Sequence, residues 1–150
     1  MTIMGLSGLQ KGARPKQEKQ FPQMVYSDAD ITNVLREGKI NLLLTHEPPL
    51  DIDGRGSNDF EILHNLLKPD YHISGHTHEY YAVNCDQSPT KAIGLAKIDF
   101  DYSGALNYGC MAVVSQEKWG MKVGVVDDSW IKRINERNWE NQLGVNNGRN

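Results

Sequence analysis

Three histidines stand where imidazole chemistry is most useful, at the ends of short apolar runs. His76 and His78 flank one threonine in the stretch Gly75–Glu79, which reads GHTHE, and His46 opens the stretch HEPP further upstream. Neutral imidazole is the commonest metal-binding side chain and suits Zn, Mn, Fe, Co or Ni. In an extended or turning segment, residues two apart point roughly the same way, so His76 and His78 can face one cleft. Gly75 removes a side chain where the backbone must bend or approach a ligand closely. A ligating imidazole needs its second nitrogen held by a carboxylate or carbonyl, and Glu47, Asp51, Asp53 and Glu79 are near enough in sequence to serve. An isolated H-x-H is more often an ordinary surface loop. The glycine before it, the apolar run preceding it and the second strand-end histidine together favour a ligand set. His64 and His72 read differently. His64 lies on a helical stripe beside Leu63 and Leu67, and His72 alternates with Tyr71 and Ile73, so both are expected to pack rather than ligate.

The elements that must position these residues alternate along the middle of the chain. Thr2 to Leu6 reads as a brief strand that meets a turn at Ser7-Gly8. Gln10 to Pro22 is polar, basic and interrupted by two prolines, which predicts an exposed loop facing either solvent or a phosphate. Ser27, Asp28 and Asp30 can start a helix in which Ile31, Val34 and Leu35 share a face, and Gly38 closes it. Ile40 to Leu44 reads as a strand buried on both faces, ended by Pro48-Pro49. After a loop from Leu50, Ser57 or Asn58 can cap a helix carrying Phe60, Leu63 and Leu67, stopped by Lys68-Pro69. Asp70 to Ser74 is then a strand running into Gly75. Both histidine sites therefore fall just past the C-terminal ends of strands, where α/β sheets place ligands. Beyond Glu79 the pattern predicts strands at Tyr80–Asn84, Ala92–Phe100, Cys110–Ser115 and Met121–Val126, mostly antiparallel, with a hairpin at Gly120. Ser129 to Glu140 reads as a terminal helix and 141–150 as a frayed polar tail.

Composition narrows the class. The 150 residues fit one α/β (α+β) domain with a sizeable core and without internal repeats. A net charge of -3 gives no nucleic-acid signal and no attraction to an anionic membrane. No apolar run approaches the roughly 18 residues that span a bilayer, and no secretory pattern is expected at Met1–Gln10. Cys85 and Cys110 are far apart, which suits two free thiols in a reducing cytoplasm.

Leu42–Pro49 (LLLTHEPP) followed by Ile73–Glu79 (ISGHTHE) resembles the last two metal motifs of the calcineurin-like metallophosphoesterases. The stretches around Gly5–Gly8 and Gly109–Val113 also resemble strands of that fold, so the resemblance runs from about Ile3 to Ile131. It implies a four-layer α/β/β/α sandwich with mixed sheets, and a site holding two divalent metal ions whose identity (Mn, Fe, Zn, Ni or Co) stays open. Carried over residue by residue, His46 and His76 would bind one ion and His78 the other. The implied reaction is hydrolysis of a phosphate ester by a metal-activated hydroxide. The family's earlier motifs, D-x-H, G-D and G-N-H-D/E, have no counterpart here, so the bridging Asp, the Asn ligand and the catalytic His are missing from this chain. Three neutral imidazoles also leave two cations largely uncompensated, where such a site relies on carboxylates. The chain is therefore expected to be the C-terminal portion of such a domain, inactive alone and completed by a missing N-terminal half. Leu42–Leu44 would then sit beside absent strands and promote self-association. Two alternatives stay open: a mononuclear three-histidine site with an open position for water, or a degenerate, non-catalytic interaction module. Arg55, between Gly54 and Gly56, is a candidate contact for the phosphate of the substrate, though a solvated loop arginine is the commoner case.

Overall fold

The computed structural model describes residues 1–6, 8–10, 15–20, 25–49, 56–85 and 88–139. In chain order its elements are strands β1 (Ile3–Leu6) and β2 (Leu9–Gln10), helix α1 (Pro15–Gln20), strand β3 (Val25–Tyr26), helix α2 (Asp28–Arg36), strand β4 (Leu42–Thr45) and helix α3 (Asn58–Leu67). Strands β5 (Tyr71–Ser74), β6 (Tyr81–Asn84), β7 (Lys91–Gly94), β8 (Ala112–Glu117) and β9 (Gly120–Val125) follow, then a 3₁₀ turn at Ile131–Arg133. Five strands form a mixed sheet in the order β1-β4-β5-β7-β6. The first four run parallel, and β6 lies antiparallel on β7.

Strand alternation divides the core into two layers. Leu43 points to the helical side, where it joins Tyr26, Val34, Ile40, Phe60 and Leu63. Leu42, Ile73 and Ile93 point the other way and meet Val123, with Ala112, Val114 and Met121 of the β8–β9 hairpin packed around them. The sheet is thus covered by helices on one face and by a β-hairpin on the other. This is a mixed α/β architecture, as the alternating pattern and the family resemblance both imply.

Local chemistry sets the helix ends. The Asp30 carboxylate accepts from the Ser27 backbone N–H at 2.8 Å and from the Ser27 hydroxyl at 2.7 Å, which fixes the start of α2. At α3 the Ser57 hydroxyl accepts from the Asp59 N–H at 3.3 Å, and Lys68 closes the helix in a left-handed conformation, φ 44°.

Several expectations change. Part of the polar segment from Gln10 to Pro22 forms α1, with Pro15 as its first residue, the position where proline's fixed φ and missing N–H suit a helix. Leu42 and Leu43 are buried, but Leu44 is 38% exposed and belongs to neither apolar cluster, so β4 is not covered along its whole length. Nor does Leu42–Leu44 form a free sheet edge, because β4 is internal, paired to β1 on one side and β5 on the other. The C-terminal half is not simply antiparallel, since β7 joins β5 in parallel. Among the described residues, the helix expected from Ser129 to Glu140 is interrupted: a 3₁₀ turn covers Ile131–Arg133, Ile134 is extended, and Trp139 is helical again. There Asn138 Oδ1 accepts from the Asn135 N–H, Asn135 Oδ1 accepts from the Arg137 N–H, and Asn138 Nδ2 donates to the Arg133 carbonyl. The first two bonds are the reciprocal pattern that caps a helix start, and the Trp139 N–H donates to the Asn135 carbonyl at 3.0 Å, so the chain breaks at the extended Ile134 and a new helical turn begins after Asn135. The tail from 140 onward lies outside the described residues. Cys110 is a buried free thiol. Among the described residues, no helix is long and apolar enough to cross a membrane.

Candidate metal centre

The site forms where two neighbouring parallel strands end. The register Thr45↔Ser74 brings the turns after β4 and β5 side by side, and the Gly75 N–H donates to the His46 carbonyl at 3.0 Å. The two histidines that follow then face each other. His76 Nδ1 lies 3.2 Å from His46 Nε2, with ring centroids 5.1 Å apart and the planes nearly perpendicular at 78°. Two nitrogens each about 2.1 Å from one ion would be separated by about 3.0 Å at a right angle and about 3.4 Å at the tetrahedral angle. The observed spacing is that of a hydrogen bond between the two rings, and it also falls within the range that two nitrogens on one ion would take.

The backbone at this point is unusual. His76 and His78 have φ of 61° and 63°, in the left-handed region that L side chains rarely adopt. Gly75 is not left-handed, and a Cβ there would meet only the His46 carbonyl oxygen, at 3.7 Å. The missing side chain of Gly75 therefore serves neither a left-handed bend nor a close contact within the fold. The strain falls on the two histidines themselves, as is common where geometry serves a site.

Burial and neighbouring charge together shift His46 toward its neutral form. Loss of water around its ring pushes its pKa below the usual imidazole value, and the charge of His76 pushes the same way. Glu47 opposes that shift and His78 adds to it. His78 is exposed, near enough to influence His46 by its charge, but not drawn into the facing pair. Among the described residues, no three His, Cys, Asp or Glu side chains gather closely enough to hold an ion. Arg55, Asp51 and Asp53 lie outside the described residues.

Sequence reasoning passed over the layer behind this pair. His64 and His72 pack as expected, both essentially fully buried, but they also hydrogen-bond. His64 Nδ1 and His72 Nδ1 are 3.3 Å apart, His72 Nε2 is 2.8 Å from Thr45 Oγ1, and Thr45 Oγ1 donates to the Glu47 carbonyl at 2.6 Å. Strand parity puts Thr45 and His72 on the same face only once β4 and β5 are known to be neighbours, and that pairing is a property of the sheet. Pro48, Gly56 and Ser57 close the base of the neighbouring loop. The Ser57 N–H donates to the Pro48 carbonyl at 2.9 Å, and a Cβ on Gly56 would strike that carbonyl oxygen at 2.3 Å.

No family model matches the chain. The chain is similar to a lariat debranching enzyme from Entamoeba histolytica, 29% identical over 140 aligned residues that cover 72% of the chain and 38% of the relative. The chain thus spans little more than a third of that relative's length.

Proposed function

We propose that this chain supplies imidazole ligands to the metal site of a metal-dependent phosphoesterase. The observation that carries the reading is the facing of His46 Nε2 and His76 Nδ1 at 3.2 Å, across the carboxyl ends of adjacent parallel strands. The resemblance of both turns to metallophosphoesterase motifs, and the similarity to a lariat debranching enzyme, favour phosphate-ester chemistry over other uses of such a pair. In this reading His46 and His76 hold one ion and His78 a second. Carboxylates beyond these three imidazoles complete the site, because two divalent cations need anionic compensation. Divalent ions bound there would neutralise phosphate oxygens and make water a better nucleophile. The chain's own contribution is positional. The Gly75–His46 bond fixes the two turns together, and the left-handed backbone at His76 and His78 sets where their rings go. Arg55 would meet the substrate phosphate with its forked donors.

The test is metal uptake followed by activity. The protein is dialysed against Mn²⁺ or Ni²⁺ and analysed for retained metal, with hydrolysis of bis(p-nitrophenyl) phosphate measured alongside. Metal should be retained, and His76→Ala should abolish retention. Hydrolysis should be close to zero for the chain alone and recover when a segment bearing the missing carboxylate motifs is supplied. Metal retention indifferent to His76→Ala would sink the assignment. Partner capture that survives both chelation and His76→Ala would instead favour a non-catalytic interaction module.

A further inference from the structure

Hydrogen-bond direction fixes more about the buried histidines than their burial does. A carbonyl oxygen can only accept, so at 2.6 Å the Thr45 hydroxyl must donate its one proton to the Glu47 carbonyl. The 2.8 Å contact between Thr45 Oγ1 and His72 Nε2 must then run the other way, with His72 Nε2 carrying the proton. A neutral imidazole has one N–H, so His72 Nδ1 presents a lone pair, and at 3.3 Å His64 Nδ1 is the donor to it. Burial keeps His72 neutral, with its pKa pushed down to about 3, so the doubly protonated form does not compete. The bonds form a one-way chain: His64 on α3 to His72 on β5, His72 to Thr45 at the end of β4, and Thr45 to the carbonyl of Glu47. That carbonyl belongs to the residue after His46.

We propose that His72 is a positioning residue which, through Thr45, holds the His46–Glu47 turn in the shape that aims His46 Nε2 at His76. This rests on the metal-ligand reading of His46. It adds that the orientation is supplied from behind, by a buried tautomer-locked histidine pair bridging the helical layer to the site. Thr45 is suited to the role because it lies in the last position of β4, where its side chain shares the helix-facing side with His72 while its main chain leads directly into His46. Partners behind a ligating group are worth about ten- to a hundredfold in metal affinity when lost.

Two measurements test this. The first reads the tautomers without any metal. Long-range ¹H–¹⁵N correlation spectra of the protein at pH 7 should show His72 protonated at Nε2 and His64 at Nδ1. A His72 protonated at Nδ1 would overturn the proposal. The second is calorimetric titration with Zn²⁺ alone. Thr45→Val keeps the shape of threonine and removes its donor, and it should weaken zinc binding tenfold or more. Thr45→Ser should stay within about threefold of the parent, and His72→Gln, which retains a donor near the Nε2 position, should recover most of what His72→Met loses. If Thr45→Val binds zinc as the parent does, the role of His72 falls and the metal site stands. If the parent takes up no zinc, the metal-ligand reading falls and takes the role of His72 with it.

Discussion

At the scale of single residues, the site is defined by where backbone strain has been accepted. A left-handed conformation costs an L residue about 1–2 kcal/mol, and His76 and His78 both adopt it. Glycine removes that cost, though its greater freedom in the unfolded chain offsets about 0.4–1 kcal/mol of the gain. His78→Gly should therefore stabilise the fold by roughly 0.5–1 kcal/mol, seen in thermal melts as a rise of a few degrees at most. It should weaken metal retention in the same protein, a trade of function against stability. A lower melting temperature would mean that the His78 ring makes a stabilising contact that outweighs its backbone strain. Gly75 gives the contrasting case. With only the His46 carbonyl oxygen near its missing Cβ, at 3.7 Å, Gly75→Ala should change stability by less than about 0.5 kcal/mol and leave metal binding intact. A large loss there would show that the glycine is needed for a ligand's approach, the role first read from its place before the H-x-H.

Elements fix the site through strand pairing, and β6 and β7 approach closely where Tyr81 faces Gly94. Tyr81 lies opposite Gly94, and a Cβ on Gly94 would come within 2.1 Å of the tyrosine ring. The ring has little freedom to move aside, because its hydroxyl is 2.8 Å from Ser74 Oγ, one residue before Gly75. Gly94→Ala should cost about 1–3 kcal/mol in urea unfolding. Combined with Tyr81→Ala, it should cost less than the sum of the single changes, since the partner it strikes has gone. Strict additivity would argue against the packing described. This element logic also separates what was legible in the sequence from what was not. The strand ends carrying His46 and Gly75–His78 were legible, because apolar runs bounded by prolines or glycine mark strands locally. The caps at Ser27 and Ser57 were legible for the same reason. The parallel insertion of β7 between β5 and β6 was not, because which strands pair is a property of the whole sheet. The break at Ile134 escaped because Asn135 and Asn138 cap a fresh helical turn through side-chain bonds that a continuous helical pattern does not reveal. His72 was placed correctly as packed, but its bond to Thr45 required knowing that β4 and β5 are neighbours.

For the whole molecule, the buried histidine pair joins the helical layer to the sheet, so its protonation is a property of the fold and not of one loop. His72 has its pKa lowered to about 3 by burial, with the charge of His64 adding to the effect. In the unfolded chain it would titrate near 6.5. Above about pH 6.5 both states hold it neutral, and it contributes no pH dependence. As pH falls below that, the unfolded chain binds a proton that the folded protein refuses. Stability therefore declines, by up to about 1.4 kcal/mol per pH unit, down to about pH 3. His46, whose pKa is also lowered, adds a loss that likewise begins as pH falls below the ordinary imidazole value. The lowered carboxylates Asp30, Asp99 and Asp101 act elsewhere. Their contribution is present above the ordinary carboxylate range and is lost only as pH drops below it. Between about pH 6.5 and pH 4 the histidines should thus dominate the slope of unfolding free energy against pH. His72→Gln removes the titrating group while keeping a donor for Thr45, so it should flatten that slope by close to one proton's worth and leave the region above pH 7 little changed. An unchanged slope would mean that His72 is solvated enough to protonate in the folded state, and the layer between α3 and the sheet would then be more open than its packing indicates.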